Sequence, residues 1–91
     1  MIDGETEARA EGLAYGAMVF RVTPGTTTEI HSHASEETWI VQAGAGHCTV
    51  DGKRTGLIAG ARVIAPPHAR HTITNSGSED LVVLGFWWKH E

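Results

Sequence analysis

Two histidines separated by one residue, His31 and His33, precede Glu37, and a third, His71, lies far down the chain behind Pro66-Pro67. Side chains of an extended segment alternate faces, so His31 and His33 point the same way and can grip one ion together. Ala34-Ser35-Glu36 is long enough for a turn, and Glu37 opens the apolar run Thr38-Trp39-Ile40-Val41, which can bring it back to the same face from a neighbouring strand. His71 can join them only if the sheet curls back on itself. A chain that gathers these four residues is a folded-over β-sheet, and three imidazoles with one carboxylate are a donor set for a single divalent transition-metal ion.

The remaining sequence agrees with an all-β reading. Strand-like runs are expected at Tyr15 to Val22, Thr26 to His31, Thr38 to Ala43, His47 to Val50, Lys53 to Leu57, Ala61 to Ala65, Arg70 to Asn75 and Leu81 to Lys89. Between them stand Pro24-Gly25, Gly44 with Gly46, Asp51-Gly52, Gly60, Pro66-Pro67 and Ser76-Gly77, all residue types that bend or reverse a strand. Asp51-Gly52 is a hairpin turn. No helical period competes, and short strands with regular turns point to a double-sheet jelly roll.

The pattern Gly25-x5-His31-x-His33-x3-Glu37-x6-Gly44 resembles the first motif of the cupin superfamily at every fixed position. Gly60-x5-Pro66 followed by His71-x3-Asn75 is similar to the second motif, with His68 standing where the family has glycine. The resemblance runs from Gly25 to Asn75. It implies a double-stranded β-helix, or jelly-roll, barrel with His31, His33, Glu37 and His71 as the metal ligands and Asn75 as a structural turn residue. Glu36 is the alternative carboxylate if the turn is shifted by one residue; the glycine six residues on favours Glu37. The donor set suits Fe, Mn, Ni, Co, Cu or Zn without selecting among them.

Length and composition narrow the context. With 91 residues, 41% hydrophobic and 20% charged, the chain is read as one small domain over residues 13–91, preceded by a loose lead-in over residues 1–12. A net charge of -4 with no basic cluster argues against nucleic-acid binding by an electrostatic footprint. The first residues have neither a basic start nor an apolar stretch, so they do not read as a secretory signal, and no apolar run is long enough to cross a bilayer. The single cysteine, Cys48, cannot form an internal disulfide. A soluble, cytoplasmic protein is the expectation.

Alternation also sketches a pocket. If Glu37 points inward, Trp39 and Val41 share its face, and Ile73 shares that of His71. Trp39 is then either a stacking surface or core, and Phe20 extends the lining beside Met18. Arg62 is the candidate partner for a substrate carboxylate. His68, on the loop before His71, is a group supporting the ligands from behind, a pocket acid or base, or a solvated loop residue, with the last favoured, whereas His47 is read as outward-facing and His90 as a tail residue. Trp87 and Trp88 are adjacent and face opposite ways; an exposed one suggests an interface, so a homodimer is expected.

A divalent ion held by neutral imidazoles and one carboxylate retains net positive charge and favours a small anionic metabolite. The leading expectation is a metal-dependent enzyme of the dioxygenase type, with Glu37 alternating between ligand and base. Non-redox catalysis by a zinc-type ion is the alternative: isomerase, lyase, cyclase or rearrangement chemistry, including as a domain of a larger natural-product enzyme. A non-catalytic binding or sensor domain is the third reading.

Overall fold

The computed structural model describes residues 2–29 and 31–90. Met1 and Ile30, which fall in the expected lead-in and in the expected strand Thr26 to His31, lie outside the described residues. Among the described residues there are eight strands: β1 (Ile2–Ala10), β2 (Leu13–Val22), β3 (Glu36–Ala43), β4 (Ala45–Val50), β5 (Lys53–Ile58), β6 (Arg62–Ala65), β7 (His71–Thr74) and β8 (Leu81–His90). They form two antiparallel sheets, one ordered β1-β2-β8-β3-β6 and the other β5-β4-β7. Among the described residues no helix is long and apolar enough to cross a membrane.

Two elements differ from the expectation. The lead-in is instead a strand: β1 pairs with β2 from Ile2↔Phe20 to Ala10↔Leu13. Its acidic sequence lacks apolar alternation, and what holds it is backbone pairing to the edge of β2, a position where charged side chains also discourage further pairing. The segment expected as a strand from Thr26 to His31 forms only two isolated bridges to β7, Thr27↔Thr74 and His31↔His71. It still tracks β7 closely: the Thr28 amide donates to the Ile73 carbonyl at 2.9 Å, and the Asn75 amide donates to the Thr26 carbonyl at 3.0 Å.

The two sheets close over one core, in which Val22, Trp39, Val41, Cys48, Leu57, Ala65, Ile73, Leu81 and Val83 are buried together. Removing this apolar surface from water is the main force holding the layers. Burial pushes the Cys48 thiol up, so it packs as a small apolar group. Gly44, with φ of 89°, turns β3 into β4 against the backbone of Asp80 and Leu81; a Cβ there would lie 2.5 Å from the Asp80 carbonyl oxygen.

Asn75 closes the same end of the barrel. Fully buried, it donates through Nδ2 to the carbonyls of Val22 and Glu79, each at 2.7 Å, and accepts from the Gly77 amide at 2.9 Å. This is the structural turn role implied by the motif.

Candidate metal centre

The backbone places the histidines before any side chain does. His31 and His71 face each other across a reciprocal bridge, with amide-to-carbonyl distances of 3.1 and 2.9 Å. Directly opposed residues present side chains on one face of the sheet, and His33 follows two residues later on that face. The ring centroids are 5.6 Å apart for His31 and His33, 6.1 Å for His31 and His71, and 5.5 Å for His33 and His71. Glu37 comes from the opposite sheet, on the inward side of β3. One ligand atom from each of His33, Glu37 and His71 lies within 4.8 Å of the others. His31 stands outside that group, exposed, and lines the same cavity.

Glu37 and His71 are buried, at 5% and 8% exposure. A carbonyl oxygen only accepts, so the 3.2 Å contact between His71 Nδ1 and the Ala69 carbonyl fixes the hydrogen on Nδ1. In the neutral ring Nε2 then carries a lone pair, and it lies 3.1 Å from Glu37 Oε2. That oxygen is itself buried without a hydrogen-bond partner. The contact satisfies an ion-pair distance but is not a hydrogen bond, and with the ring neutral two lone-pair atoms face each other. A cation held by these residues would resolve the arrangement, so the residues present fit a metal ion.

Burial pushes the Glu37 carboxyl above its ordinary value, with the His31 charge opposing, and burial holds the His71 imidazole below its ordinary value, against the hydrogen bond to Ala69. His71 is therefore mostly neutral at neutral pH, the state in which imidazole binds metals.

Trp39 meets the His71 ring edge-on, with centroids 5.0 Å apart and planes at 72°. At 2% exposure it is core and a brace for the His71 ring rather than an open stacking surface. The loop carrying His31 and His33 is tied to the loop before His71: the His68 amide donates to the His33 carbonyl, and Ser32 Oγ donates to the His68 carbonyl at 2.9 Å.

The site opens into a cavity of about 620 Å³. Phe20, Trp39 and Ile73 line it, as alternation predicts. Arg62 and His68 do not. Arg62 pairs with Ile40, while the inward residues of the same strands are Trp39 opposite Val63 and Glu37 opposite Ala65, so Arg62 falls on the outer face and is exposed. His68 is an exposed loop residue with φ of 64°, a left-handed backbone that explains glycine at this place in the motif. Its contribution is through the backbone. His47 is half-buried on β4, with Nδ1 3.1 Å from an Arg54 guanidinium nitrogen, and takes no part in the site.

Glu5, Trp87 and Lys89 also line the cavity and were not legible as pocket residues. Alternation places Trp87 and Trp88 on opposite faces, as found, but not which one faces inward. That depends on the pairing of Glu37 with Trp87 across β3 and β8.

A family profile described as Cupin domain matches residues 18–87. The chain is 36% identical over 62 residues to gentisate 1,2 dioxygenase 1 of Aquipseudomonas alcaligenes, covering 67% of this chain and 18% of that protein. It is 34% identical over 70 residues to auxin-binding protein 1 of Arabidopsis thaliana, covering 67% of this chain and 35% of that protein. It therefore spans about a third or less of these curated relatives. A solved structure from Klebsiella pneumoniae, an uncharacterized conserved protein with a double-stranded β-helix domain, superposes with a TM-score of 0.77 at 27% identity, covering 94% of this chain and 71% of that one.

Proposed function

The chain belongs to the cupin family, and from that premise we propose that it is a metal-dependent enzyme acting on a small anionic metabolite by dioxygenase-type oxidation. The observation that carries the metal is the buried, donorless Glu37 Oε2 facing His71 Nε2 at 3.1 Å. The similarity to gentisate 1,2 dioxygenase supports the oxidative reading.

His33, Glu37 and His71 would hold the ion, with His31 completing the set from the open side of the cavity. When bound, a divalent ion supplies Lewis acidity and, if redox-active, electron transfer. The protein's own residues do the rest. Phe20 and Ile73 exclude water from the cavity floor, and the Trp39 edge holds the His71 ring. Glu37 would hold the ion in one state and accept the substrate's hydroxyl or thiol proton on its carboxylate in another; burial favours its protonated form and so suits it to the second task.

The test is oxygen consumption by protein reconstituted with Fe(II) or Mn(II), supplied with catechol, flavonol, diketone or thiol substrates. Uptake that is absent from the zinc form and lost in Glu37→Gln is expected. Turnover of a substrate by the zinc form without oxygen uptake would replace the oxidative reading with isomerase, lyase or related chemistry. The similarity to auxin-binding protein 1 favours a second reading, small-molecule binding alone, and tight binding without turnover under any metal would select it.

A cytoplasmic location and a homodimer are part of the same proposal. Trp88, Phe86 and Tyr15 are exposed on the outer face of the five-stranded sheet, with Tyr15 directly opposite Trp88 in the β2–β8 register. A second copy is the proposed cover for this central apolar strip. Light scattering at micromolar concentration should give twice the 9.8 kDa chain mass; a monomeric mass refutes the dimer.

A further inference from the structure

Strand β8 runs from the packed end of the barrel to its open end, and its inward residues change character on the way. Leu81 and Val83 are fully buried core, whereas Trp87 and Lys89 line the cavity. Trp87 lies opposite Glu37. Its indole rests on Gly16, where a Cβ would come within 2.7 Å of the ring atoms Cε2 and Nε1, so the ring is a fixed wall beside the carboxylate. Lys89 is two residues closer to the mouth, about 7 Å along the strand.

The Lys89 charge is uncommitted: it has no ion-pair partner among the described residues. Glu7, the β1 residue level with Trp87, is paired with Arg9 at 3.2 Å, and Glu5, the acidic residue of β1 that lines the cavity, sits in a row level with Gly85. It pairs with Met18 of β2, whereas Lys89 pairs with Ala14, an offset of about 13 Å along the strands. The cavity thus presents a cluster for a cation at its floor, an apolar wall, and a free ammonium at its rim.

We infer that Lys89 is an anion subsite that binds a second acidic group of the substrate, a carboxylate, while the first acidic group reaches the His33–Glu37–His71 cluster. This rests on the metal reading above. The ligand class is a small, flat, apolar-bodied acid with anionic groups at both ends, its body lying against Trp87 and Ile73. Lys89 is exposed, and an ammonium meeting a carboxylate at this rim forms a charge-assisted hydrogen bond, which selects for the second anion without touching the reacting centre.

Terephthalate and benzoate share a ring and differ by the distal carboxylate. Calorimetric titration of each into zinc-loaded protein, with zinc per chain measured on the same samples, tests the subsite. The native protein and Lys89→Arg should prefer terephthalate by about tenfold, and Lys89→Gln should show almost no preference. A native protein that binds zinc without this preference, or a Lys89→Gln variant that keeps it, overturns the subsite while leaving the metal centre intact. A protein that takes up no zinc, or keeps its zinc in His71→Ala, overturns the metal reading and the two-point contact together.

Discussion

His71→Ala should take up almost no metal and lose the entire metal-dependent rise in melting temperature. The reason is geometric. His71 is the buried ligand whose tautomer is set by the Ala69 carbonyl and whose ring is braced by Trp39, so no neighbouring side chain can take its place. Binding to the folded state alone stabilises by about 4 kcal/mol at a thousandfold excess over Kd. In a domain of this size that corresponds to a rise of more than about 10 °C. Elemental analysis and thermal unfolding with and without added Zn(II) measure both effects; full metal content in the variant would refute the ligand assignment.

The carboxylate supplies an internal control of opposite sign. Glu37 has a folded-state pKa above its ordinary value of 4.5. Its ionisation therefore costs stability, an effect that appears as pH rises through the ordinary value and is fully developed above the raised one. Glu37→Gln removes that cost, so the metal-free variant should melt higher than the metal-free native protein at neutral pH. The same substitution should weaken, without abolishing, metal uptake. Glu36→Gln, outside the cluster, should change neither, and the reverse pattern would move the ligand by one residue.

Asn75→Ala should destabilise the fold by about 2–4 kcal/mol, through loss of a buried and a part-buried donor contact and one acceptor contact at once. The Val22 and Glu79 carbonyls would be left without their donor, and the Gly77 amide without its acceptor. Asn75→Asp keeps the acceptor and removes the donors, so it should recover only part of the loss. Urea unfolding of the metal-free protein gives the ordering. If Asn75→Ala unfolds at the native midpoint, the closure of the barrel through this amide is wrong.

The cluster of His33, Glu37 and His71 was legible because spacing carries geometry, although His31, expected with them, stands outside it. A histidine pair two residues apart must share a face, and the bridge of His31 to His71 in the structure adds the third ring to that face. Asn75 and Gly44 were legible for a related reason, since a motif position that closes a turn restricts residue type. The lead-in was misread because β1 is held by backbone pairing to β2, a force that leaves little trace in its own acidic sequence. His68 stood out as a departure from glycine, and its left-handed backbone accounts for that, but not for a catalytic role.

Residue order alone specifies the donor types, their two-residue alternation and the turns that divide the strands, because these are local properties of an extended chain. Which remaining residues face the cavity is settled by pairing between strands distant in sequence. Arg62 falls outside and Trp87 and Lys89 fall inside through the registers Ile40↔Arg62 and Glu37↔Trp87. A slip of one residue in either pairing would reverse every side chain on the strand, and neither partner carries that register locally.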